Sequence, residues 1–560
     1  MVWFRAVHAI AHWQTDSQCL FNAHTNRAKH PNIQMEAKSQ RENVGSLFKA
    51  ALFPPTAIIQ RFLQCGSVLV ATLLVAGCAV GPDYHKPTVQ IPTQFKQGVE
   101  WQRAHANPQG SLSSTWWLEY HDDTLTHLVE QALNANQSIA QAEAAYRLAQ
   151  ATVKATTANL FPVINAGVSG TRMGIGPDAI SSSSVFTKPG EYHVVSANVS
   201  TSWEPDLWGQ IRREIESSKG SAQATDAQLA GERLSIAASV ATDYFALRQA
   251  DVDIGFLEEQ KQIDTRFLDM THASSEQKQS SSNDVLMAQD TLEQIIAYLQ
   301  ATQAAREQYE HAIAVLTGVP PGDFSIAPQA HYAFVTPDIP LALPSQLLER
   351  RYDVVSAERL AAAANARIGV AEAAFFPTVT LSAQFGVQAA DLAHLFSLPN
   401  RLWTLGPSLT QPIFDGGARF AALHEARATY DEYVAAYRQT VLTAFQNVED
   451  SLSSSNHLKQ QEQAYADIYQ RNRQLFENER TQFQVGFASE ENVLSQRLTL
   501  LLAQQNLQDT QALLTQSSVM LIRNLGGGWQ WDEAKKAPVD STAVSGVKPA
   551  ATDAKPLTAQ

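Results

Sequence analysis

Four segments of the chain alternate apolar and polar residues with a period of two, the pattern of a strand with one oily and one wet face. In the clearest segment, which follows Pro377, the apolar positions are Val379, Leu381, Ala383, Phe385 and Val387. A second segment starts at Trp403 and ends before Pro412. Each is about ten residues long, the length at which a tilted strand crosses a bilayer in a barrel. The pattern therefore predicts membrane-spanning strands.

The same design occurs in the first half of the chain, between Pro162 and Pro205. One alternating run starts at Ile164, and another ends at Trp203. The link between them is rich in serine, glycine and proline, as expected for an extracellular loop. Two strand pairs of one design predict a tandem duplication.

Long helices are predicted between the strand pairs, because proline is absent from residues 206–319 and again from 413–537. Both intervals are rich in residues that favour helix, such as Ala, Gln, Leu and Glu. The predicted long helices are 206–273 and 417–484, the tips are 274–282 and 485–487, and the return helices are 284–317 and 490–525. A helix of this length spans about 100 Å.

Shorter helices are predicted before each strand pair. Leu125, Leu128 and Val129 repeat at helical spacing after Asp122, and a second helix covers 136–159. The counterpart in the second half opens at Leu347 and runs to Phe376. One long helix and two stacked shorter helices then form an antiparallel pair of equal height.

The second long helix carries a coiled-coil-like seam, because its apolar residues step by fours and threes. These residues are Tyr430, Val434, Tyr437, Val441, Ala444, Val448 and Leu452. The seam predicts close packing against a neighbouring helix along much of its length.

The chain divides into five predicted regions. They are an over-extended N-terminus with a signal peptide (1–78), an extended arm (79–121), a first repeat (122–335), a second repeat (336–531) and a disordered tail (532–560). The fold class is mainly α-helical with a membrane β-barrel part, in two tandem repeats.

A lipoprotein signal with its cleavage motif, the lipobox, is predicted at the end of the first region. Arg61 precedes an apolar run of about ten residues that closes with Gly77 and Cys78, the order of a secretory signal that is too short to span a membrane. Cleavage is expected between Gly77 and Cys78, after which the Cys78 sulfur carries a diacylglycerol. Ala79 rather than aspartate follows, which favours the outer membrane. Met35 is expected to be the true initiator, and the alternative for Cys78 is an ordinary buried cysteine.

Composition excludes several functions. The net charge of -14 provides no basic footprint for nucleic acid. The three cysteines all lie in the first eighty residues, so the body has neither a disulfide framework nor a thiolate metal site. The helically spaced pair His8 and His12 lies in the segment expected to be removed, and Asp243, Glu449 and Asp450 have no accompanying nucleophile. We predict no catalytic residues, no metal, no cofactor and no enzyme activity.

Four strands cannot close a barrel, and an open edge in lipid leaves backbone groups unpaired. Two copies give a barrel of eight strands, and the side chains inside such a barrel fill its interior. Three copies give twelve strands, which leave room for a passage. We therefore predict a homotrimer with a 12-strand β-barrel above a 12-helix α-barrel.

Several separated motifs resemble the TolC-type outer-membrane factors, in their lipoprotein (NodT-like) branch. They are the lipobox with Gly81, Pro82, Asp83 and Tyr84, the pair Trp116 and Trp117, and the run from Leu343 to Arg351. The resemblance covers residues 79 to 530. It implies a trimeric channel embedded in outer-membrane lipid, with a periplasmic tunnel. It also implies passive export of drugs or other small toxic compounds, together with a periplasmic adaptor protein and an inner-membrane pump of the resistance-nodulation-division (RND) type.

The resemblance also implies two sites at the periplasmic end. The second tip has the family's Val-Gly-apolar pattern at Val485, Gly486 and Phe487, the candidate adaptor contact, whereas the first tip does not. The candidate aperture residues follow at Glu490, Glu491, Asn492 and Ser495. A threefold ring of acids there favours cations and repels itself when unpaired, which suits a gate. The alternative is a solvated helix start, where acids are favourable at the helix dipole.

The family usually has Arg-Pro-Asp where this chain has Arg351, Tyr352 and Asp353, so an extension of the helix by one turn is expected there. Two rival functions remain. A channel for type I protein secretion shares the fold, but the lipobox argues against it. A structural coiled-coil surface lipoprotein lacks membrane strands and does not conduct. The sequence specifies neither the substrate nor the particular pump and adaptor.

Overall fold

The computed structural model describes residues 79–92, 95–96, 114–176, 190–339 and 350–529. The chain divides into two units, Met1–Ala76 and Gly77–Gln560, and every described residue lies in the second. The predicted signal segment and the predicted tail fall outside the described residues.

Seven α-helices and four strands, numbered in chain order, lie wholly within the described residues. The helices are α1 (Asp123–Ala135), α2 (Gln137–Ala158), α3 (Gln210–Glu276), α4 (Ser282–Leu316), α5 (Tyr352–Ala373), α6 (Ala418–Gln484) and α7 (Glu490–Asn524). The strands are β1 (Val163–Ile175), β2 (Gly190–Trp203), β3 (Thr378–Ala389) and β4 (Arg401–Thr410). In each half, a strand pair is followed by a long helix and then a shorter one. The predicted tandem repeats are confirmed.

The paired helices of the two repeats have equal lengths. Helices α3 and α6 contain 67 residues each, and α4 and α7 contain 35 each. At the usual rise these lengths correspond to about 100 Å and about 50 Å. Both long helices begin after a glycine in the left-handed conformation, Gly209 with φ 82° and Gly417 with φ 92°, which a residue with a Cβ adopts only with strain. No helix in the described part of the chain is both long and apolar enough to cross a membrane.

The predicted helix from Leu347 to Phe376 is interrupted at Arg351, and residues 347–349 lie outside the described residues. Helix α5 begins at Tyr352, and Arg351 before it has extended backbone angles. The guanidinium of Arg351 donates to the carboxylate of Asp353 and, at 2.7 Å, to the carbonyl oxygen of Asn524 at the end of α7. The helix is interrupted here because the Arg351 side chain binds both the start of α5 and the end of α7. The expected extension by one turn is absent.

The four strands form one antiparallel sheet in the order β1-β2-β3-β4. Its register places apolar residues opposite each other across all four strands in one row, and in the next row across β1, β2 and β3, with Arg401 of β4 at the end. One such row contains Ala166, Val199, Phe385 and Trp403, and the next row towards β1's end contains Val168, Ala197, Val387 and Arg401. The predicted oily and wet faces are therefore continuous across the sheet. Strands β1 and β2 also run beyond the predicted alternation, to a turn-proximal ion pair between Arg172 and Glu191.

The main hydrophobic core lies where α1 meets the central parts of α3 and α6 and the C-terminal end of α7. Leu125 of α1, Tyr244 of α3, Val441 of α6 and Val519 of α7 are all fully buried in it. The predicted seam on α6 is buried from Tyr437 to Leu452, whereas Tyr430 and Val434 are only half-buried. The seam is therefore confirmed in its central part.

A buried ion network joins α3 and α4 to the segment after α4. Asp251 accepts from Arg248 at 2.8 Å, from Arg306 at 2.7 Å and from the backbone N–H of Gln329 at 3.0 Å. The side chains of Arg248 and Asp251 are almost fully excluded from solvent. A buried charge is tolerated only when it is paired, so each member depends on the others.

We expect Asp251→Ala to lower the free energy of unfolding by about 3–5 kcal/mol, because it leaves the Arg248 guanidinium buried without its carboxylate. The measurement is denaturant unfolding in detergent, followed by helical circular dichroism. Asp269→Ala on the exposed face of the same helix is the control, with an expected change within about 0.5 kcal/mol. Equal effects of the two substitutions would contradict the role of the network.

Candidate functional site

The sheet has two free edges. Among the described residues β1 pairs only with β2, and β4 pairs only with β3. The 13 residues of β1 and the 10 residues of β4 therefore present backbone groups that this protomer does not pair. In lipid such groups need a hydrogen-bonding partner. The sheet is an incomplete part of a closed structure.

The oily face of the sheet is uncovered in the protomer. Val168, Trp403 and Leu405 have 78%, 73% and 75% of their surface exposed. Exposed apolar patches on this scale mark a membrane or a protein partner. Because the patch follows the alternation of all four strands, lipid contact explains it directly.

The helices form a layer beneath the sheet in a defined order. Helix α3 packs against α2, α4, α5 and α7, and α6 packs against α5 and α7. The shorter helices α5 and α7 therefore lie between the two long ones, as the prediction of stacked short helices requires. Apolar side chains remain exposed on the outer helices, among them Leu148 of α2, Met287 of α4 and Leu475 of α6. The helical layer, like the sheet, has unpartnered sides.

The residues after Cys78 are fixed at the junction between helices and strands. The N–H of Val80 donates to the carbonyl oxygen of Trp208 at 3.0 Å, and Arg213 donates to the carbonyl oxygens of Val80 and Gly81 at 3.2 and 3.1 Å. Gly81 has φ 102° and lies so close to Gly369 that a Cβ would overlap its backbone. The arm is held against residues of both repeats.

Aromatic residues mark this junction. The rings of Trp208 and Phe376 stack with centroids 5.0 Å apart, and the indole N–H of Trp208 donates to the carbonyl oxygen of Pro377 at 2.7 Å. Amphipathic rings of this kind are favoured where hydrocarbon meets water. The junction therefore has the chemistry of a membrane interface.

The two helical tips have the same backbone geometry and different side chains. At the first tip, Gln279 donates its N–H to Ser274, and at the second Phe487 donates to Gln482, both at 2.9 Å. Lys278 and Gly486 occupy the equivalent left-handed position, with φ 61° and 83°. Ser281 and Ser489 then cap the return helices α4 and α7.

The second tip is apolar and open. Phe487 is 86% exposed and Val485 is 62% exposed. The equivalent residues of the first tip, Gln277 and Gln279, are polar, as the sequence predicted. The adaptor-contact candidates Val485, Gly486 and Phe487 thus lie together at the end of α6, directly before the aperture candidates.

The four aperture candidates all lie in the first two turns of α7. Of their four side chains, only that of Glu490 binds another side chain of the described residues. The Glu490 carboxylate accepts from Arg266 Nε at 2.8 Å and from Arg266 Nη2 at 3.0 Å. This guanidinium lowers the pKa of Glu490. Glu491, Asn492 and Ser495 are exposed, and the N–H of Asn492 is used by the Ser489 cap at 3.2 Å.

Arg266 was missed from the sequence. It lies on α3 in the first repeat, 224 residues from Glu490, and no spacing rule connects the two. A second ion pair joins the same helices further from the tip, where Arg497 Nε donates to Glu259 at 2.6 Å. The start of α7 is therefore held to the other repeat by charge pairs.

The remaining polar candidates have structural surroundings. Glu449 accepts a hydrogen bond from the N–H of Lys96 at 2.6 Å, and burial raises the pKa of Asp243. Among the described residues no group of three or more His, Cys, Asp or Glu is arranged to hold a metal ion. His8 and His12 lie outside those residues.

Comparisons with known proteins all find efflux proteins or outer-membrane channels. A family model described as "Outer membrane efflux protein" matches residues 128–319 and 343–527. The antibiotic efflux pump outer membrane protein ArpC of Pseudomonas putida is 30% identical over 468 residues, which cover 83% of this chain and 95% of ArpC. The cation efflux system protein CusC of Escherichia coli is 26% identical over 467 residues, which cover 82% and 97%. The solved structure of the outer-membrane channel OprN matches with a TM-score of 0.72 and 28% identity, covering 81% of this chain and 100% of OprN.

Proposed function

Since the chain belongs to the outer membrane efflux protein family, we propose that three copies of it form the exit duct of a tripartite efflux system. The duct conducts passively, and its partners are a periplasmic adaptor protein and an inner-membrane pump of the RND type. The observation that carries this proposal is the four-stranded sheet, which has one continuous oily face and two unpaired edges.

Closure sets the number of copies. Eight strands make a barrel that its own side chains fill, and twelve leave room for a passage. With four strands in each copy, three copies are the smallest closed assembly that conducts. The long helices continue the passage into the periplasm, where twelve staves of about 100 Å surround it.

The substrate class is set by the pump more than by this duct. Similar chains serve in an antibiotic efflux pump and in a cation efflux system, as the names of ArpC and CusC state. We infer that this chain exports small toxic compounds. Protein secretion of type I is disfavoured because these two relatives are named for efflux. A non-conducting surface coiled coil is disfavoured because the sheet has a lipid-type face.

Adjacent residues on β4 test the channel directly. We expect Leu405→Arg, on the oily face, to block assembly in the outer membrane, because an arginine facing the bilayer midplane costs about 2–4 kcal/mol in each copy. Thr404→Arg places the same charge on the opposite face and is expected to assemble and to change the conductance. The measurements are the amount of trimer in outer-membrane fractions and single-channel current in planar bilayers.

The wild-type protein must conduct in the same bilayers. Equal assembly of the two variants, or a wild-type protein that stays monomeric in water without detergent, would refute the duct.

A lipid anchor at Cys78 accompanies the duct in our proposal. The position of Ala79 supports it, since Ala79 packs against Gly209 at the junction of helices and strands. A diacylglycerol on the preceding residue then starts at the height of the membrane interface. Cys78 therefore adds a second attachment to the outer membrane.

We expect the mature protein to begin at Cys78 and to carry the mass of the acyl groups, as measured by intact mass spectrometry of the purified protein. Cys78→Ser is expected to remove that mass increment and to block cleavage after Gly77. A wild-type mass without any acyl increment would refute the proposed anchor and would not bear on the proposed barrel.

The periplasmic end carries two further proposed roles. Val485, Gly486 and Phe487 contact the adaptor, because an exposed aromatic side chain at a helical tip gains free energy when a partner covers it. Glu490 and Glu491, with Asn492 and Ser495, surround the aperture as a threefold ring. Arg266 neutralises one acid of each copy, so the charge of the ring depends on that ion pair.

Two opposing substitutions test the ring. Glu490→Gln with Glu491→Gln is expected to lower the permeability ratio of cations to anions, whereas Arg266→Gln is expected to raise it, because the first removes negative charge and the second unmasks it. Reversal potentials in a salt gradient across a planar bilayer provide the ratio. Glu432→Gln, exposed on α6 and far from the tip, is the control. A ratio that stays unchanged in both variants favours the alternative of a solvated helix start.

A further inference from the structure

The seam between α3 and α7 contains a pair of carboxyl groups, one from each repeat. Asp253 of α3 and Asp509 of α7 are hydrogen-bonded to each other. Two carboxyl groups can share a hydrogen bond only when one of them keeps its proton. The contact therefore contains a proton as a structural component.

Amide side chains complete the contact. Gln505 Nε2 donates to Asp253 Oδ1 at 3.1 Å, and Gln249 Nε2 donates to Asp509 Oδ1 at 3.2 Å. The amide of Gln249 is itself oriented by Gln516, whose Nε2 donates to its Oε1 at 3.3 Å. Gln249 of α3 thus binds the carboxyl of α7, and Gln505 of α7 binds the carboxyl of α3. Each helix donates one hydrogen bond to the other.

The other charged groups near this seam are engaged elsewhere. On α3, Asp251 is held by Arg248 and by Arg306 of α4, and Glu259 is paired with Arg497 of α7. Arg306 also binds Glu310 on its own helix. On α6, which packs against α7, Glu462 accepts from Gln511. The charge that acts on the Asp253 carboxyl is therefore chiefly that of Asp509.

The pKa values of both carboxyl groups are raised above the ordinary Asp value. Burial, and after it the charge of Asp509, raises the pKa of Asp253 to about 7, and burial raises the pKa of Asp509. A carboxyl with a raised pKa in the folded protein stabilises it fully below the ordinary Asp value and loses that contribution as the pH rises through the folded-state value. The cluster is therefore strongest in mild acid and weakens as the pH rises towards about 7.

We propose that Asp253 and Asp509 form a proton-dependent clasp between the two repeats, which holds α3 and α7 together while they share one proton and loosens when both are ionised. The clasp lies about 30 Å from the start of α7 at the usual helical rise. Between it and the tip are the ion pairs Glu259–Arg497 and Arg266–Glu490, neither of which needs a proton. The clasp therefore makes the cohesion of this seam depend on pH near neutrality.

The test uses the full-length protein purified in detergent and needs no channel activity. Infrared difference spectra between pH 5 and 9 are expected to show a carboxylic-acid band that disappears with a midpoint near pH 7. Asp253 keeps the shared proton and donates it to Asp509. Asp509→Asn removes the accepting carboxylate and its charge, and the new amide donates to ionised Asp253 at any pH. In this variant the band should disappear at least one pH unit lower.

Thermal unfolding provides the second readout. The unfolding midpoint of the wild type is expected to fall as the pH rises from about 4 to about 7 and to level off above that, and Asp509→Asn is expected to remove most of that fall. Asp467→Asn, exposed on α6, should keep it. Asp243 and Asp264, whose pKa values are also raised by burial, remain in every variant. Asp253→Asn replaces the proton donor by an amide, which donates to ionised Asp509 at any pH, and carries the same expectation if the first variant does not fold.

A wild-type band with a midpoint below pH 5, or the same pH dependence in the wild type and in both clasp variants, would overturn the proposal. Either result would leave the duct untouched, because neither readout depends on conduction.

Discussion

The structure depends on one constraint, the need to pair every backbone N–H and C=O group that lies in hydrocarbon. A sheet of four strands meets it internally at three interfaces and fails at β1 and β4. The same incompleteness continues into the helical layer, where apolar side chains on the outer helices stay uncovered. Both layers are therefore completed by the same operation, the addition of further copies around an axis. A barrel and a tunnel of matching symmetry follow from that single requirement.

The duplication produces similar elements in different surroundings. Helix α3 is buried along much of its length because neighbours lie on both sides, whereas α6 is buried mainly in its middle. The two repeats also differ in the side chains they carry. Buried ion pairs cluster around α3 and α4, and the exposed apolar tip belongs to α6 and α7. The two repeats therefore have equal backbone lengths and unequal side chains: buried charges in the first and an exposed apolar tip in the second.

The sequence predicts the elements well because their causes are local. Alternation identifies β3 and β4, and the absence of proline identifies α3 and α6, since lipid and helix geometry act on each segment separately. The contacts between repeats could not be predicted. Arg266 reaches Glu490, and Asp253 reaches Asp509, across distances in the chain where only the three-dimensional register decides the partner. The break at Arg351 was missed for the same reason, because it is caused by a carbonyl oxygen of Asn524 at the far end of α7.

The arm after Cys78 has a consequence for the order of folding. Arg213 of the first repeat holds it through a contact that spans 132 residues of the chain. Asn365 and Glu358 of the second repeat hold it through contacts that span 283 and 274 residues. Contacts so remote in sequence form slowly, because a long loop must close before they stabilise anything. Although the arm leaves the ribosome before either repeat, its docking groove exists only after both have come together. The arm is therefore synthesised before the two repeats but docks after them.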